Sequence, residues 1–271
     1  MNYFPEVWID TLDDLMNNGR FVSPRGKMTR ELPQRTIEVD MRRPVLTVPA
    51  RKLSYQFMAA EAYWILTGDD RVSSIAPYNK NISNFSDDGE KFFGAYGPKI
   101  LSQLDYVTDK LVADPGSRQA GLTIWRENPP ETKDVPCTVA IFFSIRGTHL
   151  NCHVFMRSSD AWLGVPYDVF NFSMLSHLVC AMVNTKTWEL NKDSTEERIL
   201  YTPGTLYLTA ASSHIYAEHW EAAQSPAIRK WDHQHATPHQ LFTKATVLYS
   251  TLQSLRDSKP GDAIRWWEQM K

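Results

Sequence analysis

Two runs of alternating residues, V-A-I-F-F-S-I at 139–145 and H-L-N-C-H-V-F-M at 149–156, flank Arg146-Gly147, and a mostly apolar stretch follows at 169–183. A period of two over runs of this length predicts two strands, and Arg146-Gly147 predicts the turn of a hairpin between them. The stretch 169–183 reads as a long helix with little polar surface, so it is expected near the centre of the fold. A hairpin with one face to cover and a helix to be covered on all sides predict an α+β domain, a sheet packed by helices.

The rest of the chain adds to that frame. Val7, Trp8, Leu12, Leu15 and Met16 recur at helical spacing over 5–18, and Asn17, Asn18 and Gly19 stop the run. The segment F-V-S-P-R-G-K-M-T-R at 21–30 is too polar for a core and is expected as a basic surface loop. Residues 36–40 and 205–210 read as strands, as do 121–125. Helices are expected over 53–67, along Ile100, Leu104, Val107 and Leu111, and near 240–256. No repeat or linker-like composition divides residues 1–271, so one domain is expected. A net charge of −2 excludes a global basic field for nucleic acid or an anionic membrane, leaving room for local arginine clusters. No apolar run approaches the roughly 18–20 residues of a spanning helix. The opening M-N-Y-F-P-E-V-W-I-D lacks the order of a signal peptide, and three cysteines make no disulfide framework, so a reducing, cytoplasmic setting is expected.

The chemistry-bearing residues concentrate in 135–169. This stretch holds Cys137 after a proline, the cluster R-S-S-D at 157–160, a turn at Gly164 and Asp168 ahead of the apolar helix. Taken alone, Cys137 reads as a small buried hydrophobe and Asp168 as a helix N-cap. Glu61, between alanines on the helix over 53–67, is either on its polar side or buried for a purpose.

Together these motifs change the reading. R-S-S-D-A-W-L-G-V-P-Y-D at 157–168 resembles the nucleotide and folate loop of the thymidylate synthase family, whose catalytic cysteine also follows a proline. The resemblance extends to Glu61 in A-E-A-Y-W-I-L-T-G, Tyr96 in G-A-Y-G, D-P-G-S-R at 114–118 and H-I-Y at 214–216. It covers roughly residues 5–220, and 221–271 diverge from it. It implies a single synthase-like domain whose sheet forms a two-fold dimer interface. Four positions depart from the family pattern. Asp168 replaces its usual asparagine, Thr138 its histidine after the cysteine, and Gln119 the second of its tandem arginines, while no tryptophan stands near 82–85. Aspartate at the base-reading position resembles the deoxycytidylate hydroxymethylases of bacteriophages.

The resemblance implies roles residue by residue. Cys137 would add to C6 of the pyrimidine and make C5 nucleophilic, its thiolate favoured by Arg157. Arg25, Arg157 and Ser158 would hold the phosphate, with Arg118 donated by the partner of a homodimer. His214 and Tyr216 would bond the sugar 3′-hydroxyl, Glu61 would act as general acid and base, and Tyr96 would help remove the C5 proton. Asp160, Gly164, Tyr167 and Phe85 would face the co-substrate 5,10-methylenetetrahydrofolate. Asp168 would accept from the cytosine amino group, favouring dCMP. Cys152 and Cys180 are expected as packing residues, and the histidines show no metal-ligand pattern, so no metal is expected. The product expected is 5-hydroxymethyl-dCMP, since the missing tryptophan loosens the folate and favours water over hydride. The alternatives are 5-methyl-dCMP, the same chemistry on CMP, thymidylate synthesis from dUMP, and a silent nucleotide-binding regulator.

Overall fold

Alternation along the hairpin sorts side chains between two faces, and the computed structural model shows what covers each; it describes residues 3–193, 195, 199–230, 242 and 244–259. In chain order the elements are α1 (Phe4–Asn18), β1 (Arg20–Val22), β2 (Thr29–Asp40), α2 (Tyr55–Leu66), α3 (Val72–Ile75), α4 (Tyr96–Ala113), β3 (Gly121–Thr123), β4 (Thr138–Arg146), β5 (His149–Met156), β6 (Ser159–Asp160), α5 (Val165–Leu190), β7 (Thr202–Tyr216), α6 (Trp220–Gln224) and α7 (Ala245–Asp257). The strands form one mixed sheet in the order β1-β2-β7-β5-β4-β3, with β6 beside β7. β5 and β6 run parallel to β7, and the other pairs are antiparallel.

One face is buried. Ile37, Val39, Ile141, Phe143, Cys152, Val154, Leu206 and Leu208 point into it, each almost fully covered. α5 lies on this face against β5 and β7, and α2, α4 and α7 cover α5 in turn. That enclosure explains why 17 of its residues are buried with no polar stripe. The other face carries Phe142, Phe155, His153, Tyr207 and Thr209 outward; Phe142 and Phe155 are 40% and 45% exposed. On it His153 stacks on Tyr207 with ring centroids 4.9 Å apart, and Phe142 meets Phe155 edge-on at 6.3 Å.

The structure differs from the expected elements in definite ways. The hairpin turn is Gly147-Thr148, because Arg146 already pairs with His149. Gly147 has φ of 60°, the conformation that favours glycine at the first position of a two-residue turn. β2 begins at Thr29 and takes in the end of the expected basic loop; β7 runs on to Tyr216. These added strand ends pair with each other, Glu31 opposite His214 and Thr29 opposite Tyr216. Their side chains are polar because they face a cavity, so they break the alternation a core would impose. α5 starts at Val165, with Pro166 in its first turn where a missing N–H costs nothing. α2 starts at Tyr55, capped by Ser54, which accepts from the Phe57 N–H. The C-terminal helix begins at Ala245. The tail 265–271, His233 and His235 lie outside the described residues. Among the described residues no helix is long and apolar enough to cross a membrane.

Candidate active site

The expected residues fall in two neighbouring groups: Arg25, Arg157, Ser158, His214 and Tyr216 line a cavity where the ends of β2 and β7 meet the loop before β4, while Cys137, Tyr96, Asp168 and Glu61, which influence one another electrostatically, are not among its lining residues. The cavity, of about 590 Å³, is lined by Arg25, Glu31, Trp125, Lys133, Arg157, Ser158, Ser212, His214 and Tyr216, among others. The cross-strand register sets its floor, since opposite residues in an antiparallel pair share a face. Arg25 reaches it from a 3-10 turn in which its own φ is 54°, a left-handed conformation unusual for an arginine.

Arg157 is fixed before any ligand arrives. Its Nε donates to the Pro136 carbonyl and its Nη2 to the Val135 carbonyl, both at 2.9 Å. Its backbone N–H also donates to the Cys137 carbonyl at 2.8 Å. The guanidinium therefore clamps the loop that carries the cysteine. Cys137 itself is half-buried. Arg157 pulls the Cys137 pKa down as expected, but the expectation of a net lowering is corrected by the balance of causes. Burial pushes the thiol up, Asp168 and Asp134 add to that, and the pull of Arg157 and Arg25 does not overcome them. Asp134 takes the Gly94 N–H at 2.6 Å, in a corner where a Cβ on Gly94 would come within 2.4 Å of the Asp134 carbonyl oxygen.

Tyr96 opens α4 and its hydroxyl accepts the Thr138 N–H at 3.1 Å, next to Cys137 in the chain. Burial and the neighbouring Asp168 and Cys137 push its pKa well above the ordinary phenol value, so it stays a neutral hydroxyl. Glu61 points inward from α2 and accepts from Asn171 Nδ2 at 2.8 Å. Burial raises its carboxyl to about 7, against the lowering pull of that bond.

Asp168 does not cap α5. The N-cap position is Gly164, and Asp168 sits inside the first turn, its N–H bonded to the Gly164 carbonyl at 2.9 Å. Burial raises its carboxyl to about 8, with further contributions from Glu61 and Asp160. Gly164 makes room for it: a Cβ there would lie 3.2 Å from Asp168 Oδ2 and 3.3 Å from the Asp160 carbonyl oxygen.

Asp160 turns the loop ahead of α5, its Oδ1 accepting from Trp162 N at 2.8 Å and Leu163 N at 2.9 Å. Tyr167 stands edge-on to Phe57, ring centroids 5.1 Å apart, and its hydroxyl accepts the Ser54 N–H. Arg51 holds the same loop from the other side, its Nε donating to the Trp162 carbonyl at 2.9 Å. His214 and Tyr216 meet edge-on at 5.2 Å.

Two expected residues stand apart. Arg118 is exposed on the loop before β3 and is not among the residues lining the cavity. Phe85 ends a 3-10 turn and is 55% exposed. Cys152 and Cys180 are buried packing residues, as expected. Among the described residues no three His, Cys, Asp or Glu side chains converge as a metal site.

The reading of the sequence missed Asn171, Glu31, Ser212, Trp125 and Lys133. Asn171 was findable, since it lies one helical turn beyond Asp168 and must share its face. Glu31 and Ser212, which bond each other, carry no local signal, because only the pairing of β2 with β7 brings them together.

A family model described as thymidylate synthase matches residues 6–249. A deoxyuridylate hydroxymethyltransferase of Bacillus phage SP01 is 27% identical over 250 residues, which is 83% of this chain and 60% of that protein. The chain thus spans less than two thirds of that relative's length.

Proposed function

The chain belongs to the thymidylate synthase family, and from that premise we propose that it transfers a one-carbon unit to C5 of a pyrimidine deoxynucleotide, giving 5-hydroxymethyl-dCMP. The observation that carries the proposal is a thiol, Cys137, influenced electrostatically by Asp168, whose carboxyl is raised to about 8 in part by Glu61, itself raised to about 7. The two carboxyls carry or release a proton near neutral pH, as general acid–base chemistry on a pyrimidine ring requires.

Cys137 adds to C6 as a thiolate, and its raised pKa means that the proton leaves when substrate is bound rather than before. Arg157 and Arg25 favour that loss. The cations Arg25, Lys133 and Arg157 with Ser158 suit the phosphate, and His214 with Tyr216 suits the sugar. Glu61 exchanges protons with the base edge, and the neutral Tyr96 hydroxyl is positioned beside the ring. The co-substrate methylenetetrahydrofolate supplies the one-carbon unit. Asp160, Gly164 and Tyr167 would hold it, and Leu163 on the same loop, 46% exposed, offers an apolar surface to its flat heteroaromatic ring. Loss of the C5 proton and of the folate leaves an exocyclic methylene on C5; water adds to it, and the Cys137–C6 bond then breaks to return the thiol and free the product. The name of the phage relative supports hydroxymethyl over methyl. We infer a homodimer joined through the open sheet face, with Arg118 reaching the partner's phosphate, and a cytoplasmic setting.

A second reading, the same reaction on dUMP, is compatible with a neutral Asp168 and favoured by the name of the phage relative. A neutral carboxyl pairs with cytosine by donating to N3 and accepting from N4. It also pairs with uracil by accepting from N3–H and donating to O4. The SP01 relative carries the uracil substrate in its name. Tritium release from [5-³H]dCMP and [5-³H]dUMP with methylenetetrahydrofolate tests both, and mass spectrometry identifies the product. A product heavier than substrate by CH2O, a hydroxymethyl in place of the C5 hydrogen, is expected from dCMP; dihydrofolate formation coupled to turnover would overturn the hydroxymethyl assignment. Absence of release from either nucleotide would favour a silent nucleotide-binding protein.

A further inference from the structure

Asn171 stands three residues after Asp168 on α5, so both side chains project from the same side of the helix toward Glu61. It is 6% exposed, and its Nδ2 donates to Glu61 Oε2 at 2.8 Å. Its Oδ1 is also buried and has no hydrogen-bond partner among the described residues. A buried carbonyl without a donor is costly, and a leucine of similar size would fill this space without that cost. The amide is therefore retained for what its Nδ2 does. That atom meets one oxygen of a carboxyl group, and an amide N–H can donate to that oxygen whether the carboxyl is ionised or not.

We infer that Asn171 is the positioning residue of the acid–base step: by occupying Glu61 Oε2 with a donor, it confines the exchangeable proton to Oε1, the oxygen left to face the nucleotide. The inference rests on the proposed reaction for its catalytic meaning, while the contact it describes is independent of the substrate. Without the amide, the proton would divide between the two oxygens, and one of those forms points it away from the base. The bond also steadies the carboxylate, opposing the effect of burial on Glu61. No bond is made or broken beyond the proton transfer already assigned to Glu61.

The test is Asn171→Leu, with Asn171→Ala as the second variant should leucine fail to fold, folding being checked by circular dichroism and nucleotide binding by calorimetry. The turnover rate is expected to fall by roughly tenfold or more while the nucleotide KM stays within about twofold. The limb of the pH–rate profile that needs ionised Glu61 should move to higher pH. In a Glu61→Gln background the same substitution should cost nothing further, because both act through one proton. An unmoved pH limb, or a full additional loss in that background, would overturn the inference. Carbon-13 NMR of labelled glutamate carboxyls in the nucleotide-free protein gives a readout that needs no turnover. There the Glu61 titration should move upward in Asn171→Leu, and an unchanged titration overturns the contact's role even if the proposed substrate is wrong. Conversely, a shifted titration in a protein inactive on every pyrimidine nucleotide would fault the proposed reaction and leave the positioning intact.

Discussion

At the scale of single residues, Asp168 carries the most consequence. Its folded-state carboxyl is raised from 3.8 to about 8, so it is mostly neutral at neutral pH and ionises as pH rises past that value. The neutral form fits uracil and cytosine alike, whereas the ionised form presents only acceptors: it keeps the contact with cytosine N4–H or uracil N3–H but meets cytosine N3 or uracil O4 with repulsion. Turnover of dCMP and of dUMP should therefore both fall by up to about tenfold per pH unit above that value, since the neutral fraction falls at that rate. In Asp168→Asn the ratio of dCMP to dUMP turnover should shift toward dUMP, and the fall above that pH should disappear; paired kcat/KM profiles check both. Gly164 is the second sensitive position. Gly164→Ala brings a methyl to 3.2 Å from Asp168 Oδ2, and kcat/KM should fall by about tenfold with little change in melting temperature. The sequence made Asp168 and Cys137 legible through their motifs. It did not reveal how their burial raises both pKa values, because that depends on walls supplied by α2, α4 and α5.

At the scale of elements, legibility followed what each face touches. The interior of the sheet and the body of α5 were readable because apolar neighbours impose a period. The strand ends at 29–33 and 211–216 were not, because they face a polar cavity and follow its chemistry instead. The start of α5 was hidden by Pro166, which breaks a helix interior but is welcome in a first turn. The enclosure of α5 also fixes its energetics. Leu178 is 2% exposed and Leu190 is 73% exposed on the same helix. Leu178→Ala should cost ~2–5 kcal/mol. Leu190→Ala should cost less than about 0.5 kcal/mol. Urea unfolding midpoints compare the two directly.

At the scale of the whole molecule, the proposed homodimer would be joined through the open sheet face. Phe142 and Phe155 are large, exposed and in mutual contact there, while Arg118 lies away from the cavity it is proposed to serve. If two copies share their sites, a Cys137→Ser chain and an Arg118→Ala chain, each nearly inactive alone, should regain roughly a quarter of full activity when unfolded together and refolded at equal amounts, since half the dimers are mixed and each has one intact site. No recovery would mean that Arg118 serves its own subunit or none. The pairing of β2 with β7 has a further effect, on the time course of folding. Thr29 through Asp40 must find Tyr216 through Thr205, a partner on the far side of most of the chain. Contacts that distant form slowly, after local hairpins and helices have closed. Arg25, Glu31, His214 and Tyr216 come together only with that pairing, so during refolding helical signal should return before nucleotide binding does. A chain still being synthesised gains its binding site only once β7 is free to zip onto a strand made long before.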